Sequence, residues 1–539
     1  MRHLQTTLAI FLLTCSTAQG RQVEVDSTAF GRCSPGQASA VLDPGNVRVS
    51  VRNNGWLYDR DFEVPKGSGI NASAYTSFSM VGEVGGERLA VNATRRNEFF
   101  PGPVALGVIP PSDCTPFDRI WTVGRDDVRH HPGALTDWPV AIDAPYVERG
   151  GGPGYQPMKG DVPLMFGDRQ AWWIVNDAGN LHPRSESPRP LGVEARVSAF
   201  AFDLPGVLGN STFFRIVVRN KNTLPIRQAH FGFQINGDLG NFTDDYVGTD
   251  TSAGMVFIYN ADNVDEAGYG EGPPSVGYFL IEAPGREIEA PDCTAGPPDW
   301  HFDTTMERIG SAGVRGGAYG VDGILKAMTA RWTQGAPLVE GGWGHESYGG
   351  DPTAPISYMY PGDPVTHSYW SELNTDRQNS ANPASWRRIW ASLGPFCLNS
   401  LEEAAFTLAI VWSRGSDHLD SVRQLRDDVA FVRSISDTIL TPAPGGDVPV
   451  SPPSELAFNL YPSPATLQVH LEASVPIEVN LGVDVFDALG RPVWSRPKSD
   501  VGPGVWSRAL DVTTWAPGLY IMRVTMAGRI FTKKLIVLR

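Results

Sequence analysis

Apolar and polar residues alternate with a period of two along most of the chain. "RQAWWIVND" (169–177), "RVSAFAFDL" (196–204), "STFFRIVVRN" (211–220) and "IRQAHFGFQI" (226–235) read as antiparallel strands separated by turn residues. A helical period appears in "SDHLDSVRQLRDDVAFV", where Leu419, Val422, Leu425, Val429 and Val432 share one face, predicting a helix over about 416–433. The Pro- and Gly-rich stretch "LTPAPGGDVPVSPPSE" (440–455) shows neither period and reads as an extended linker. Beyond it "LQVHLEAS", "VNLGVDVFDALGR" and "GLYIMRVTMAGRIFTKKLIVL" alternate again. The pattern predicts a mainly β protein: a large antiparallel, β-sandwich-like region over 21–439 and a small Ig-like β-sandwich over 456–539.

The first residues carry an address. Arg2 and His3 precede an apolar run at 8–13, and Ala18-Gln19-Gly20 offers a small-residue cleavage site before Arg21, so 1–20 reads as a secretory signal peptide. The run is far shorter than the roughly 20 residues that span a bilayer, and no later stretch approaches that length, so no transmembrane segment is expected in the mature chain. Cys15 follows Leu-Leu-Thr, a poor context for a lipid anchor. Composition agrees with export: 58 Gly, 44 Pro and only 19% charged residues suit short strands and turns. A net charge of −15 argues against a nucleic-acid partner, whose phosphates such a surface would repel, and attracts divalent cations. Cys33, Cys114, Cys293 and Cys397 are widely spaced, without a metal or redox motif; disulfides are expected, with three pairings open.

The C-terminal module has a specific resemblance. Tyr461-Pro462-Ser463-Pro464-Ala465, then Val485-Phe486-Asp487-Ala488-Leu489-Gly490-Arg491, then Ala516-Pro517-Gly518-Leu519-Tyr520, and finally Lys533-Lys534-Leu535-Ile536-Val537 occur in order. This series resembles the C-terminal sorting domain of the bacterial type IX (Por) secretion system, with Ser463 where Asn is usual. The resemblance implies passage through the periplasm and then through an outer-membrane translocon that recognises this domain, ending in a secreted or cell-surface protein. Attachment to surface polysaccharide and removal of the domain are further implications. The region before it resembles large exported Bacteroidetes-type proteins of no assigned activity that carry the same tail. The matching stretches include "NNGWLYDRDFEVPKGSG" (53–69), "WWIVND" (172–177) and "GDLGNFTDDYVGTDT" (237–251). No catalytic residue follows from that likeness.

Chemistry concentrates in "INGDLGNFTDDYVGTD" (235–250). Asn236, Asp238, Asn241, Asp244 and Asp245 supply hard oxygen donors, with glycines that let the backbone bend, and so form a candidate calcium site. If Asp244-Asp245 opened a regular strand, their carboxylates would diverge. An acidic turn capping its own backbone is the plainer alternative. Acidic residues of the 238–250 loop, Asp238, Asp244, Asp245 and Asp250, with Trp172 or Trp343 clustered near Asp238 and Asp244 in an open cleft, would suit a polysaccharide-active hydrolase. Adjacent Trp172 and Trp173 point to opposite faces of a strand and are expected mainly in the core. His130-His131 have no metal-ligand spacing, and His345-Glu346 lie in the glycine-rich "GGWGHESYGG". No nucleophile elbow, Walker loop or dinucleotide fingerprint occurs. The leading expectation is an exported, non-enzymatic protein, stabilised by calcium and binding glycan or matrix; the alternative is the hydrolase.

Overall fold

The computed structural model describes residues 30–538 except 95–97, 131–134, 150–153, 290–292, 309–312, 443–456, 462, 467, 476–478, 502–503 and 527–528. The signal-peptide reading, most of the linker, His131 and Pro462 lie outside the described residues. Among the described residues two compact units emerge: 30–121 with 171–199 and 210–427, and 122–170 with 200–209 and 428–538.

Two antiparallel sheets build the first unit. One runs Ser39–Leu42, Arg48–Arg52, Trp56–Glu63, Tyr75–Val84, Ile226–Asn236, Arg388–Leu398, Thr304–Glu307, with Glu87–Asn92 also paired to Tyr75–Val84. The other runs Asp245–Asp250, Met255–Asn260, Ser275–Glu282, Glu403–Ser413, Ser211–Asn220, Val193–Ala201, Arg169–Asn176, Phe100–Pro101. Their inner faces meet: the rings of Phe231 and Phe406, one from each sheet, stack at 4.0 Å, and Tyr58 stacks on Phe214 at 5.9 Å. Strand alternation creates this layer by delivering every second side chain to the shared core.

Trp173 belongs to that core, and Trp172 turns to the other face of its strand against Trp121, with ring centroids 5.8 Å apart. Both indoles are 1% exposed, so neither is a stacking platform for a ligand. The helix His418–Ser434 buries Val422, Leu425, Val429 and Val432. Gly277 of strand Ser275–Glu282 leaves room for it; a Cβ there would lie 3.1 Å from Leu425. The disulfides are Cys33–Cys114 and Cys293–Cys397, one of the three pairings the sequence left open.

In the second unit, residues 457–538 form a three-stranded sheet (Ala457–Tyr461, Gln468–Val475, Gly504–Asp511) and a four-stranded one. The latter runs Pro492–Val501, Val479–Asp487, Gly518–Met526, Arg529–Val537. Val469, Leu471, Val483, Val485, Met522, Val524 and Leu535 are among the residues of one apolar core of its own.

Candidate functional site

The acidic segment 236–250 follows the strand Ile226–Asn236 and leads into Asp245–Asp250, the edge strand of the second sheet. Asp245 is the first residue of that strand and fully buried, whereas Asp244 stands just outside it and is half-buried. Only Asp245 therefore lies in the strand, so strand alternation does not set the two carboxylates apart. Gly240 sits at φ +63°, and a Cβ there would lie 1.9 Å from Asp265 Oδ2, so the segment wraps closely around a buried acid the sequence pattern had not flagged. Asp265 accepts the Asn241 and Tyr269 amides at 3.1 and 2.7 Å and holds the turn.

The five candidate ligands have different fates. Asn236 Oδ1 accepts from Trp386 Nε1, and Asn241 Oδ1 accepts from the Thr243 amide and hydroxyl. Asp245 Oδ2 accepts the Leu239 amide at 3.1 Å. Oδ1 of Asp238, Asp244 and Asp245 is buried in each case without a hydrogen-bond donor, and so is Oδ1 of Asn71, whose Nδ2 donates to the Asp238 carbonyl at 3.1 Å. Burial raises Asp244 to about 6, with Asp265 adding to the rise and Asn260 opposing it. Asp245 is raised well above the carboxylate range, first by burial and then by Asp238 and Asp244; burial also raises Asp238. Among the described residues no group of three or more His, Cys, Asp or Glu side chains is placed to hold a metal ion. Asp250, at the far end of the strand, pairs with Arg426 at 2.8 Å. Burial pushes it up, but hydrogen bonds from Ser252, Ala253 and Arg426 prevail and hold it below its ordinary value.

Beside this segment lies an ionic group that sequence reasoning missed. Arg387 donates through Nε and Nη2 to both oxygens of Glu372 at 2.8 and 2.7 Å, and its Nε lies 3.8 Å from Glu307 Oε1. Arg315 pairs with Glu307 at 2.8 Å and covers a face of Trp343 at 3.9 Å. Arg387, Glu372 and Glu307 are fully buried, and burial lifts Glu307 to about 7 against the pull of the two arginines. Glu372 Oε1 accepts the Val247 amide at 2.8 Å and the Tyr360 carbonyl accepts the Thr249 amide at 3.0 Å. The edge of the sheet is thus closed by the long irregular segment between Met328 and Arg388, which satisfies backbone groups that an open edge would present to another chain.

That segment holds Ala330, Tyr360, His367, Arg377 and Asn379 at positive φ. It also contains the "GGWGHESYGG" loop, pinned by Trp332 Nε1 to the Gly344 carbonyl and Trp370 Nε1 to the Gly342 carbonyl. His345 Nδ1 accepts the Ser347 amide at 3.0 Å and caps the turn Glu346–Tyr348. Two clefts open in the first unit, of about 450 Å³ beside Val108, Ile109, Arg189 and Asn222 and about 670 Å³ beside Glu186, Tyr319, Asp322 and Lys326. Neither is lined by a residue of 236–250.

The motif residues of the C-terminal module hold its turns and edges. Asp487 Oδ1 accepts the Leu489 and Arg491 amides, both at 2.9 Å, and Oδ2 accepts Arg491 Nε at 2.7 Å. Those bonds, the Arg491 amide foremost, lower the Asp487 carboxyl, and Gly490 at φ +78° closes the turn. Tyr520 Oη donates to the Ala516 carbonyl at 2.7 Å, fastening the turn before Gly518. Tyr461 ends its strand, and just after it Ser463 Oγ accepts the Ile536 amide at 3.1 Å. Ala465 exchanges backbone hydrogen bonds with the last strand, donating to the Ile536 carbonyl and accepting from the Leu538 amide. Pro464, Lys533 and Lys534 are exposed.

Residues 459–538 match the family model described as a secretion system C-terminal sorting domain. No curated protein matches the chain. Among solved structures, dimeric latent PorU from Porphyromonas gingivalis is 9% identical over 68% of this chain and 31% of that one, with a TM-score of 0.14. The adhesin domain of Epf from Streptococcus pyogenes is 9% identical over 63% and 89%, TM-score 0.12. A β-1,2-glucanase from Parabacteroides distasonis is 10% identical over 65% and 37%, TM-score 0.12. This chain therefore spans about a third of PorU, and likenesses at these scores carry no argument about activity. The sorting domain marks the chain as cargo of the type IX system, exported to the cell surface or extracellular space. Among the described residues no helix is long and apolar enough to cross a membrane.

Proposed function

We propose that this protein is a non-enzymatic, surface-delivered or released cargo whose acidic segment stabilises the fold by taking up calcium. The observation that carries the reading is the burial of four oxygens without donors, on Asn71, Asp238, Asp244 and Asp245, in a neighbourhood of like charge. Such groups are costly unless a cation or a proton meets them. Calcium accepts amide and carbonyl oxygens and water alongside carboxylates, so its shell here would draw on the Asn71 amide and nearby backbone carbonyls as well as on the acids.

The hydrolase reading has less support. Asp245 has no access to a substrate, Asp250 is tied to Arg426, and Trp172 is in the interior. Glycan or matrix binding rests on the destination implied by the sorting domain. Attachment to surface polysaccharide and removal of that domain after export belong to the same reading. Calorimetric titration of calcium into EDTA-treated full-length protein tests the metal site. Binding lost in Asp244→Asn and in Asn71→Ala supports it; wild-type protein that takes up no calcium refutes it.

A further inference from the structure

The larger cleft of the first unit has the lining of a binding site. Its volume of about 670 Å³ falls within the range of about 300–1,000 Å³ usual for small-ligand sites. One wall is the start of the helix Gly320–Met328, which buries Ile324, Ala327 and Met328 against Val81, Ala90 and Trp390 of the first sheet. The other is the segment 184–190, fixed to the same sheet by two hydrogen bonds. The Ala90 amide donates to Ser187 Oγ at 3.3 Å, and Arg189 Nη2 donates to the Val84 carbonyl at 3.0 Å. The two walls are also joined to each other: the Gly320 amide donates to the Arg184 carbonyl at 2.9 Å, and the Arg184 guanidinium lies over the Tyr319 ring at 4.4 Å. The cleft is therefore formed before any ligand arrives.

We propose that this cleft binds a neutral oligosaccharide, with Tyr319 as the surface on which a sugar ring stacks. Tyr319 lies at the helix start and is 42% exposed even with Arg184 over it. Such a ring offers rigid apolar contact at little cost in side-chain entropy. A pyranose presents a face of C–H groups to an aromatic ring and a rim of hydroxyls to hydrogen-bonding groups, and the cleft supplies both. Its charged side chains are mostly paired: Asp322 with Lys326 at 2.7 Å, Glu87 with Arg189 at 2.6 Å and Arg88 with Glu83 at 2.8 Å. Paired groups keep donors and acceptors for hydroxyls while presenting little net field, which suits an uncharged ligand better than a phosphate or an amine. Glu186 is exposed in the cleft at φ +49°, its amide donating to the His182 carbonyl at 2.9 Å. Its Oε2 lies 3.6 Å from where a Cβ on Gly320 would stand, so the carboxylate sits beside the helix start, within reach of a ligand stacked on Tyr319. A carboxylate has two acceptor oxygens and can take a pair of sugar hydroxyls. The cleft is thus the site of the glycan binding proposed for this cargo, and the assignment rests on that reading.

The test is binding of the full-length protein to an array of neutral and acidic oligosaccharides, followed by affinity electrophoresis in gels carrying the polysaccharide that responds. Tyr319→Ala should weaken retention about tenfold or more, and Tyr319→Phe, which keeps the ring, should retain it. Glu186→Gln, which keeps the shape and removes the charge, should weaken retention severalfold. Retention should persist as salt is raised, because a neutral ligand brings no charge to screen. Binding confined to acidic glycans, or lost on raising salt, would overturn the assignment. Wild-type retention left unchanged by Tyr319→Ala and Glu186→Gln would overturn the site and spare the glycan-binding reading; a wild type that binds no glycan of the array would overturn both. If Tyr319→Ala fails to fold, Glu186→Gln, at an exposed position, decides alone.

Discussion

Arg387 shows how much can depend on one side chain. Its guanidinium lies between two fully buried glutamates, so Arg387→Met leaves Glu372 and Glu307 facing each other with only Arg315 as compensation. Breaking a buried pair in this way costs about 3–5 kcal/mol. Urea unfolding should show a loss of that size, partly recovered when Glu372→Gln is added. Burial lifts the Asp244 carboxyl from its ordinary 3.8 to about 6 in the folded protein. A carboxyl raised by folding opposes stability above its folded value and ceases to do so below its unfolded one. Calcium-free protein should therefore gain stability from this group as pH falls from about 6 toward 4. The rise in melting temperature on adding calcium should be larger at pH 7.5 than at pH 5, and Asp244→Asn should flatten both trends. Neither the arginine cluster nor the role of Asp265 was legible in the sequence. Glu307, Glu372 and Arg387 form no motif and meet only because a long irregular segment closes the sheet edge, whereas Asp244 and Asp245 stood out by adjacency, one ending outside the strand and the other opening it.

Elements were more readable than contacts. The strands Arg169–Asn176, Val193–Ala201, Ser211–Asn220 and Ile226–Asn236 lie within a few residues of the segments their alternation predicted, because one face of each packs into the core. The helix His418–Ser434 shows its predicted apolar face for the same reason. Pairing of the cysteines was not readable, since it depends on which loops the sheets bring together. Each disulfide closes a long loop, with separations of 81 and 104 residues, which in a chain-entropy account contributes about 4–5 kcal/mol. Cys33→Ser with Cys114→Ser, and Cys293→Ser with Cys397→Ser, should each lower the unfolding midpoint markedly, and reductant should lower the wild type toward the variants. In the acidic segment, Gly240→Ala places a Cβ against Asp265 at a backbone angle L-residues avoid. It should cost about 1–3 kcal/mol in thermal unfolding and weaken calcium uptake.

At the scale of the whole molecule, a small β-sandwich with its own core follows a large two-sheet region, and the two carry different information. The sorting domain was legible because its turns need particular residues: Asp487, Gly490 and Arg491 close one, and Tyr520 fastens another. The cargo carries no comparable local signature, so its chemistry had to be sought in burial and hydrogen bonding. The C-terminal domain sends this protein out of the cell through the type IX pathway. The direct test is to express the full chain and a chain ending at residue 442 in a bacterium with that system, then to measure each in the periplasmic and extracellular or surface fractions. The full chain should be found outside and the shortened one, disulfide-bonded and protease-resistant, in the periplasm; equal export of the two would contradict the account.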